Sequence, residues 1–273
     1  MTPAPEVTAQ RQRERRLRKR FNGLGWWTLY QREVLRFAKV YNQTVLAPVV
    51  TSLLYLVIFA LALEPFKETV SGTPYLQFLA PGLIVMAITQ NAFANTSSSL
   101  MIAKIQGTIV DLLMAPLTPW ELTSALALGG VTRGLAVGAA TAIAMLPVVP
   151  VSVHSIGLLL YFAMTSALML SLLGIAGGIW AEKFDHIAAV TNFIVTPLSF
   201  LSGTFYSIGR LPEWIQVIAH LNPFFYMIDG FRFACNGRSD TDPLLGVLIL
   251  AIVNAGLVYL CWRMFDRGYR LKA

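Results

Sequence analysis

Ser207-Ile-Gly-Arg-Leu-Pro-Glu-Trp-Ile-Gln-Val-Ile-Ala-His-Leu-Asn-Pro-Phe-Phe-Tyr-Met-Ile-Asp-Gly-Phe-Arg-Phe-Ala-Cys-Asn-Gly-Arg-Ser-Asp-Thr-Asp242 is too apolar for an ordinary loop and too interrupted to cross a bilayer. Read as one span, it would place Asn222-Pro223, Asp229 and Arg232 in hydrocarbon. An ionised group at that depth costs about 2.5–3.5 kcal/mol on insertion scales. Proline removes a backbone donor and disfavours helix in the residue before it. Two half-helices that enter the membrane and turn back suit the pattern better. Irregular backbone at membrane depth survives only inside protein or beside a wet cavity. Residues 207–242 are therefore expected to form a shielded re-entrant element near one mouth of a membrane assembly.

The rest of the chain agrees. Of 273 residues, 56% are hydrophobic and 13% charged, against about 25% charged in soluble domains. The +7 net charge is concentrated: Arg11, Arg13, Arg15, Arg16, Arg18, Lys19 and Arg20 form one block. Beside membrane spans such a block reads as a cytoplasmic topology anchor on anionic headgroups, with no nucleic-acid partner. It is not followed by a short apolar stretch and cleavage site, so no cleavable signal is evident. Cys235 and Cys261 stand in no metal-ligand spacing, and no disulfide is expected between them.

Six runs have the roughly 20 apolar residues that a membrane helix needs: 45–63, 75–95, 122–146, 156–180, 187–206 and 244–262. With both termini cytoplasmic, Lys67, Arg210, Arg232 and Arg238 fall outside, Arg133 lies within a span, and every other Lys and Arg falls inside. That asymmetry satisfies the positive-inside rule. It holds only if residues 207–242 do not cross. Before the first span, Trp26, Trp27, Tyr30, Val34, Phe37 and Tyr41 recur at helical steps, with Arg32, Glu33, Arg36 and Lys39 mostly elsewhere on the wheel. This predicts an amphipathic interfacial helix over 24–43. Gly130, Gly134 and Gly138, and Gly174 and Gly178, are spaced for close helix contact, within the chain or at a dimer seam. The fold class is all-α integral membrane: six transmembrane helices, the N-terminal amphipathic helix, and an extracytoplasmic re-entrant pair between spans five and six.

A second element runs Lys104-Ile-Gln-Gly-Thr-Ile-Val-Asp-Leu-Leu-Met-Ala-Pro-Leu-Thr-Pro-Trp-Glu121. Gly107-Thr108 can open a short helix with Thr108 as N-cap and Asp111 near its positive end. Pro116 and Pro119 end it. Its exposed side is expected to show Ile109, Val110, Leu112, Leu113 and Met114, either lying on the membrane or docking into a partner's groove.

Three stretches together carry a resemblance: Gly107-Thr-Ile-Val-Asp-Leu-Leu-Met-Ala-Pro-Leu-Thr-Pro-Trp-Glu121, Pro197-Leu-Ser-Phe-Leu-Ser-Gly-Thr-Phe-Tyr-Ser-Ile-Gly-Arg-Leu-Pro-Glu-Trp214, and Ile218-Ala-His-Leu-Asn-Pro-Phe-Phe-Tyr-Met-Ile-Asp-Gly-Phe-Arg232. In this order, with six spans, the chain resembles ABC-2 type permeases over about residues 24–270. It is most similar to bacterial permeases of the nodulation-factor and polysaccharide-export type. Ser207 stands where many members carry proline, and residues 1–23 are an extension. The resemblance divides the chain into that extension, a connecting helix at 24–43 and a transmembrane domain at 44–273. It implies a subunit of an exporter in the bacterial inner membrane, paired with a second copy of itself or a paralogous permease and with separate ATPase subunits that hold ATP and Mg. It further implies that 108–115 is the coupling helix, so that Gly107, Thr108, Ile109, Asp111, Leu112, Leu113, Pro116 and Glu121 face the ATPase. Glu182, Lys183 and Asp185 would form a second cytoplasmic contact. Gly203, Pro212, Trp214, Asn222, Pro223, Tyr226, Asp229 and Arg232 would border an external gate.

No cofactor is expected on this chain. It has no Gly-x-x-x-x-Gly-Lys-Ser/Thr phosphate loop and neither His-Glu-x-x-His nor Gly-x-Ser-x-Gly. His154, His186 and His220 are scattered, and Asp111, Glu121, Glu182 and Asp185 read as contact or solvated carboxylates. Arg133 is the one charge deep in a span. It either holds an anionic group of an amphiphile, braces the bundle by pairing with Gln90, Asn91 or a carbonyl, or lies shallower in a span that begins late. Gln90, Asn91, Asn95, Thr191 and Asn192 line a polar path or bond between helices. Asp229 and Arg232 are spaced to pair on one helix face. A proton-coupled secondary transporter would place several ionisable groups mid-membrane, and a lipid-linked transferase would need a carboxylate or histidine cluster at one face. Impermeant thiol reagents should label Ser239→Cys from outside intact cells and Lys272→Cys only after permeabilisation; labels at the two ends of 207–242 on opposite sides would overturn this topology.

Overall fold

The computed structural model describes residues 21–63, 74–149 and 152–270. The basic block at 11–20, Lys67 and Lys272 lie outside these. The described residues are mostly helical, with no strand among them. In chain order the helices are α1 (Gly23–Ala38), α2 (Ala47–Leu63), α3 (Tyr75–Ile105), α4 (Ile109–Met114), α5 (Pro119–Met145), α6 (Ile156–Trp180), α7 (Phe184–Val190), α8 (Thr196–Leu201), α9 (Glu213–Leu221), α10 (Pro223–Asn236) and α11 (Pro243–Arg267). π-helical turns at Asn42–Leu46 and Thr191–Val195 join α2 to the segment before it and α7 to α8.

Among the described residues, six helical stretches are long and apolar enough to cross a membrane: Asn42–Leu61, Tyr75–Ile105, Pro119–Met145, Ile156–Trp180, Phe184–Leu201 and Pro243–Arg267. The fourth has the bounds expected of it. The second runs ten residues past its expected end, because Lys104 and the polar turns before it sit on protein rather than in lipid. The fifth stops at Leu201, short of residue 206. There Gly203 takes a left-handed φ of 78°. The Thr204 hydroxyl donates to the Ser199 carbonyl at 2.7 Å, and the Asn222 amide donates to the Leu198 carbonyl at 3.2 Å. Carbonyls freed by the turn thus find donors without a further helical turn.

α3 is the axis of the molecule. Its most apolar window is 83% buried, against 17% for the first and fifth stretches. α5 and α6 lie against it where glycines remove side-chain bulk, as their spacing predicted for packing within the chain. A Cβ on Gly134 would lie 2.8 Å from the Ile88 carbonyl oxygen; on Gly174, 2.2 Å from Thr96 Oγ1 and 2.6 Å from the Phe93 carbonyl oxygen. The closeness lets Thr96 donate to the Ser171 carbonyl at 2.8 Å and Ser171 donate to the Ala127 carbonyl at 2.8 Å.

Two apolar cores result. One joins α3, α6 and α10 through residues such as Leu79, Leu83, Phe162, Phe225 and Met227. The other gathers Leu29, Leu100, Ile109, Leu112, Leu126, Ile175 and Phe265 around α4. Overpacking a filled contact costs about 1–3 kcal/mol. Gly174→Ala should therefore lower the detergent melting temperature clearly. Gly177→Ala, whose Cβ would meet nothing nearer than 3.8 Å, should leave it unchanged.

Candidate functional site

The α4 end is built around a buried charge cluster. Glu33 falls one turn from Leu29 and one from Phe37, on the face of α1 that packs inward, and is fully buried. It accepts from Ser99 Oγ at 2.8 Å, Arg36 at 3.2 Å and Arg32 at 3.1 Å. Arg36 also donates to the Asn95 carbonyl at 2.6 Å and side-chain oxygen at 3.0 Å, and to Ser98 at 3.2 Å. The polar-face position expected for Glu33 is thus corrected: it points into the protein because three donors there offset its desolvation. Gly129 makes room, since a Cβ on it would lie 2.6 Å from that of Glu33. Trp26 bonds Ser124 and Tyr30 bonds Thr132, each at 2.9 Å, so α1 is fastened along α5.

Next to this cluster, α4 projects from the end of α3. Gly107 makes the corner with φ 73° and nothing within 4 Å of a would-be Cβ. Thr108 holds the N-cap position, but its side chain does not cap α4; the hydroxyl points back to the Ala103 carbonyl at 3.4 Å. Ile109 and Leu112 are buried in the second core, so the expected exposed face is narrower. Val110, Asp111 and Met114 are exposed, Leu113 half-buried. Pro116 is exposed and its carbonyl accepts from the Asn22 amide at 3.3 Å. Glu121 corrects another expectation. It is buried, closing a capping box with Thr118 and accepting the Asn22 backbone N–H. As a cap for α5 and an anchor for the start of α1, it offers no surface contact.

Lys104 donates to the carbonyls of Ile179 and Ala181. That brings the turn carrying Glu182, Lys183 and Asp185 to the α4 end, with all three exposed. Glu182 pairs with Arg270 at 3.7 Å.

Between the first, second and fifth stretches lies a cavity of about 400 Å³. Gln90 and Asn91 line it, with Gln43, Thr51, Ser52, Tyr55, Thr191 and Thr196. Asn95 is not there; it is fully buried in the Glu33 cluster. Arg133 is not among the lining residues but donates to Asn91 Oδ1 at 3.1 Å, which is the bracing arrangement. Asn192 is exposed on the π turn.

At the opposite end, the chain that leaves at Ser207 returns to it. Ser207 Oγ donates to Asp240 at 3.0 Å, as does the Ile208 N–H at 3.2 Å. Between these points α9 and α10 meet at Asn222-Pro223. Asn222 caps α10 by accepting the Phe224 N–H at 3.1 Å, and its amide donates to Ser202 at 2.8 Å. Pro223 opens α10, and Tyr226 donates to the His220 carbonyl at 3.0 Å. Asp229 and Arg232 do not form the expected direct pair. Asp229 accepts from the Asp240 and Thr241 N–H groups at 2.8 and 3.0 Å and from the Thr241 hydroxyl at 2.8 Å. Arg232 donates to the Gly203 carbonyl at 2.7 Å and stacks 3.7 Å above Phe78. Burial pushes the Asp229 carboxyl above the usual carboxylate range, opposed by those hydrogen bonds and the Arg232 charge. Burial pulls Arg232 down to about 10, so it keeps its charge at neutral pH. Pro212 and Trp214 stand apart on the exposed side of α9.

The ABC-2 type transporter model matches residues 25–235. The chain belongs to the ABC-2 type transporter family. As an ABC-2 type permease it is a multi-pass membrane protein of a transport family. It is 39% identical over 249 residues to the inner membrane transport permease YadH of Escherichia coli K12, covering 90% of this chain and 96% of that protein. It is 26% identical over 241 residues to nodulation protein J of Rhizobium leguminosarum bv. viciae (86% and 92% covered). Over 227 residues it is 26% identical to that of Rhizobium meliloti strain 1021 (77% and 81%).

Reading the sequence missed the Glu33–Arg36 cluster and the hydroxyls of Thr51 and Ser52. The signal was present: Glu33 sits on the Leu29–Phe37 face, and two hydroxyls interrupt an otherwise apolar run. Removing one partner of a buried ion pair costs about 3–5 kcal/mol. Glu33→Ala should therefore lower the melting temperature strongly, while Arg32→Ala, whose side chain is 51% exposed, should change it little.

Proposed function

We propose that this ABC-2 permease is the transmembrane half of an ATP-driven exporter in the bacterial inner membrane, working as a dimer with separate ATPase subunits that bind ATP and Mg. The chain itself catalyses nothing. Its termini and α4 lie on the cytoplasmic side, and α9 and α10 border the external gate. The single observation that carries the reading is α4: one face seated on the second core by Ile109 and Leu112, the other left open by Val110, Asp111 and Met114. A helix held this way transmits a push from its outer face into α3 and α5, to which it is directly joined. ATP-driven closure of the ATPase pair would move α4, tilt those two helices and open the path between permease subunits outward.

The cargo is an amphiphile. Support comes from the cavity between the first, second and fifth stretches, where Gln90, Asn91 and hydroxyls face Leu83 and Met86. A pocket with polar groups on an apolar wall suits a molecule with both characters. YadH, the inner membrane transport permease of Escherichia coli, supports membrane transport in general and fixes neither a direction nor a substrate.

Val110→Asp with Met114→Lys should abolish ATPase association and ATP-dependent transport in vesicles while leaving the melting temperature unchanged, because neither side chain is buried. Transport driven by a proton gradient with no ATPase present would reject the proposal in favour of secondary transport.

A further inference from the structure

Arg32, Arg36 and Lys39 follow one another at four- and three-residue steps along α1 and its C-cap, so they share a helix face. Against that face the last turns of α3 leave a second cavity, of about 710 Å³, separate from the one lined by Gln90. Its lining carries these three cations and no carboxylate. The nearest carboxylate, Glu33, is buried beneath and already shared by Arg32, Arg36 and Ser99. Lys39 has no side-chain hydrogen bond or ion pair among the described residues, and Arg36 Nε is buried without a partner. Positive charge is therefore in excess.

The same cavity has an apolar wall of Leu35, Val40 and Ile102. Val40 is followed almost at once by the π turn that opens the first apolar stretch. The cations thus lie where the lipid-crossing part of the chain begins, the level at which headgroups meet basic residues. The volume is many times the roughly 30 Å³ share of one water and admits more than a simple inorganic anion. Cations beside an apolar wall at this level call for a phosphate with acyl chains attached.

We propose that this cavity binds the phosphate headgroup of an anionic phospholipid from the leaflet at the α4 end, with its chains over Leu35, Val40 and Ile102. The site is independent of the transport reading, since it needs neither ATP nor an ATPase.

Native mass spectrometry of the full chain in detergent, titrated with phosphatidylglycerol, tests it. Arg32→Gln with Lys39→Gln leaves the Arg36 contacts to Glu33 and Asn95 in place, and an unchanged melting temperature checks that the fold is kept. Each surface cation removed should weaken phosphatidylglycerol binding about fivefold, so the double variant binds about 25-fold more weakly. Arg32→Lys with Lys39→Arg should restore binding, and rising salt should weaken it. Equal binding of phosphatidylcholine, or unchanged binding by the double variant, overturns the proposal. Glycerol 3-phosphate binding as tightly as phosphatidylglycerol would make this a free-anion site and overturn the lipid assignment. If the double variant lost ATPase association yet kept phosphatidylglycerol, the face would be a protein-docking surface instead.

Discussion

Everything in this molecule is arranged around keeping one helix away from lipid. α3 buries Asn91, Asn95, Thr96, Ser97 and Ser99 in succession. Asn91 and Ser97 donate back to carbonyls of α3 itself, but in hydrocarbon Asn95, Thr96 and Ser99 would lose the partners that α1 and α6 give them. Neighbouring helices must therefore approach closely enough both to exclude lipid and to supply partners. Glycines on α5 and α6 permit that approach, and the Thr96–Ser171–Ala127 chain of hydrogen bonds is what the approach makes available. Small residues do for membrane helices what apolar burial does for soluble ones. With α3 enclosed, the first and fifth stretches are left at the periphery. Their mostly open faces leave them free to meet lipid or a second subunit.

The two ends of α3 are finished differently. At one end α10 fills the space over Phe78 with Arg232, and Asp229 gathers the turn at 240–241. Both charges end up holding backbone groups rather than one another, which fixes the return of the chain to Ser207. At the other end the closure is made by α1 and α4, which share a small apolar core and the Glu33 cluster. The first end is tied mainly through backbone carbonyls and N–H groups, whereas the second depends on long side chains reaching across helices.

Much of this was legible in the sequence because it follows from length and periodicity. Apolar runs gave the six crossing candidates, and Asn222-Pro223 marked where α9 passes into α10. Four-residue glycine spacing marked the packing faces. What could not be read is equally specific. The distance that α3 extends past residue 95 depends on Lys104 finding carbonyls at Ile179 and Ala181, a contact across 75 and 77 positions. Glu121 looked like a surface carboxylate because its burial depends on Asn22, far away in the chain. Asp229 and Arg232 had the spacing of a pair, yet backbone groups from elsewhere competed for each. In every case a local pattern lost to a partner that only the folded chain brings near.

The Glu33 cluster also has a history in time. Glu33 leaves the ribosome well before its acceptor site is complete: Ser99 follows 66 residues later, and Glu121 trails Asn22 by 99. At translation rates of about 5–20 residues per second, α1 waits roughly 3 to 20 s for its seat. During that interval Glu33 and Arg36 lack Ser99 and Asn95, and α1 can take its seat only after α3 and α5 have been made. The charge cluster can thus assemble once the hairpin of α3 and α5 has been made, while α6 to α11 have still to follow.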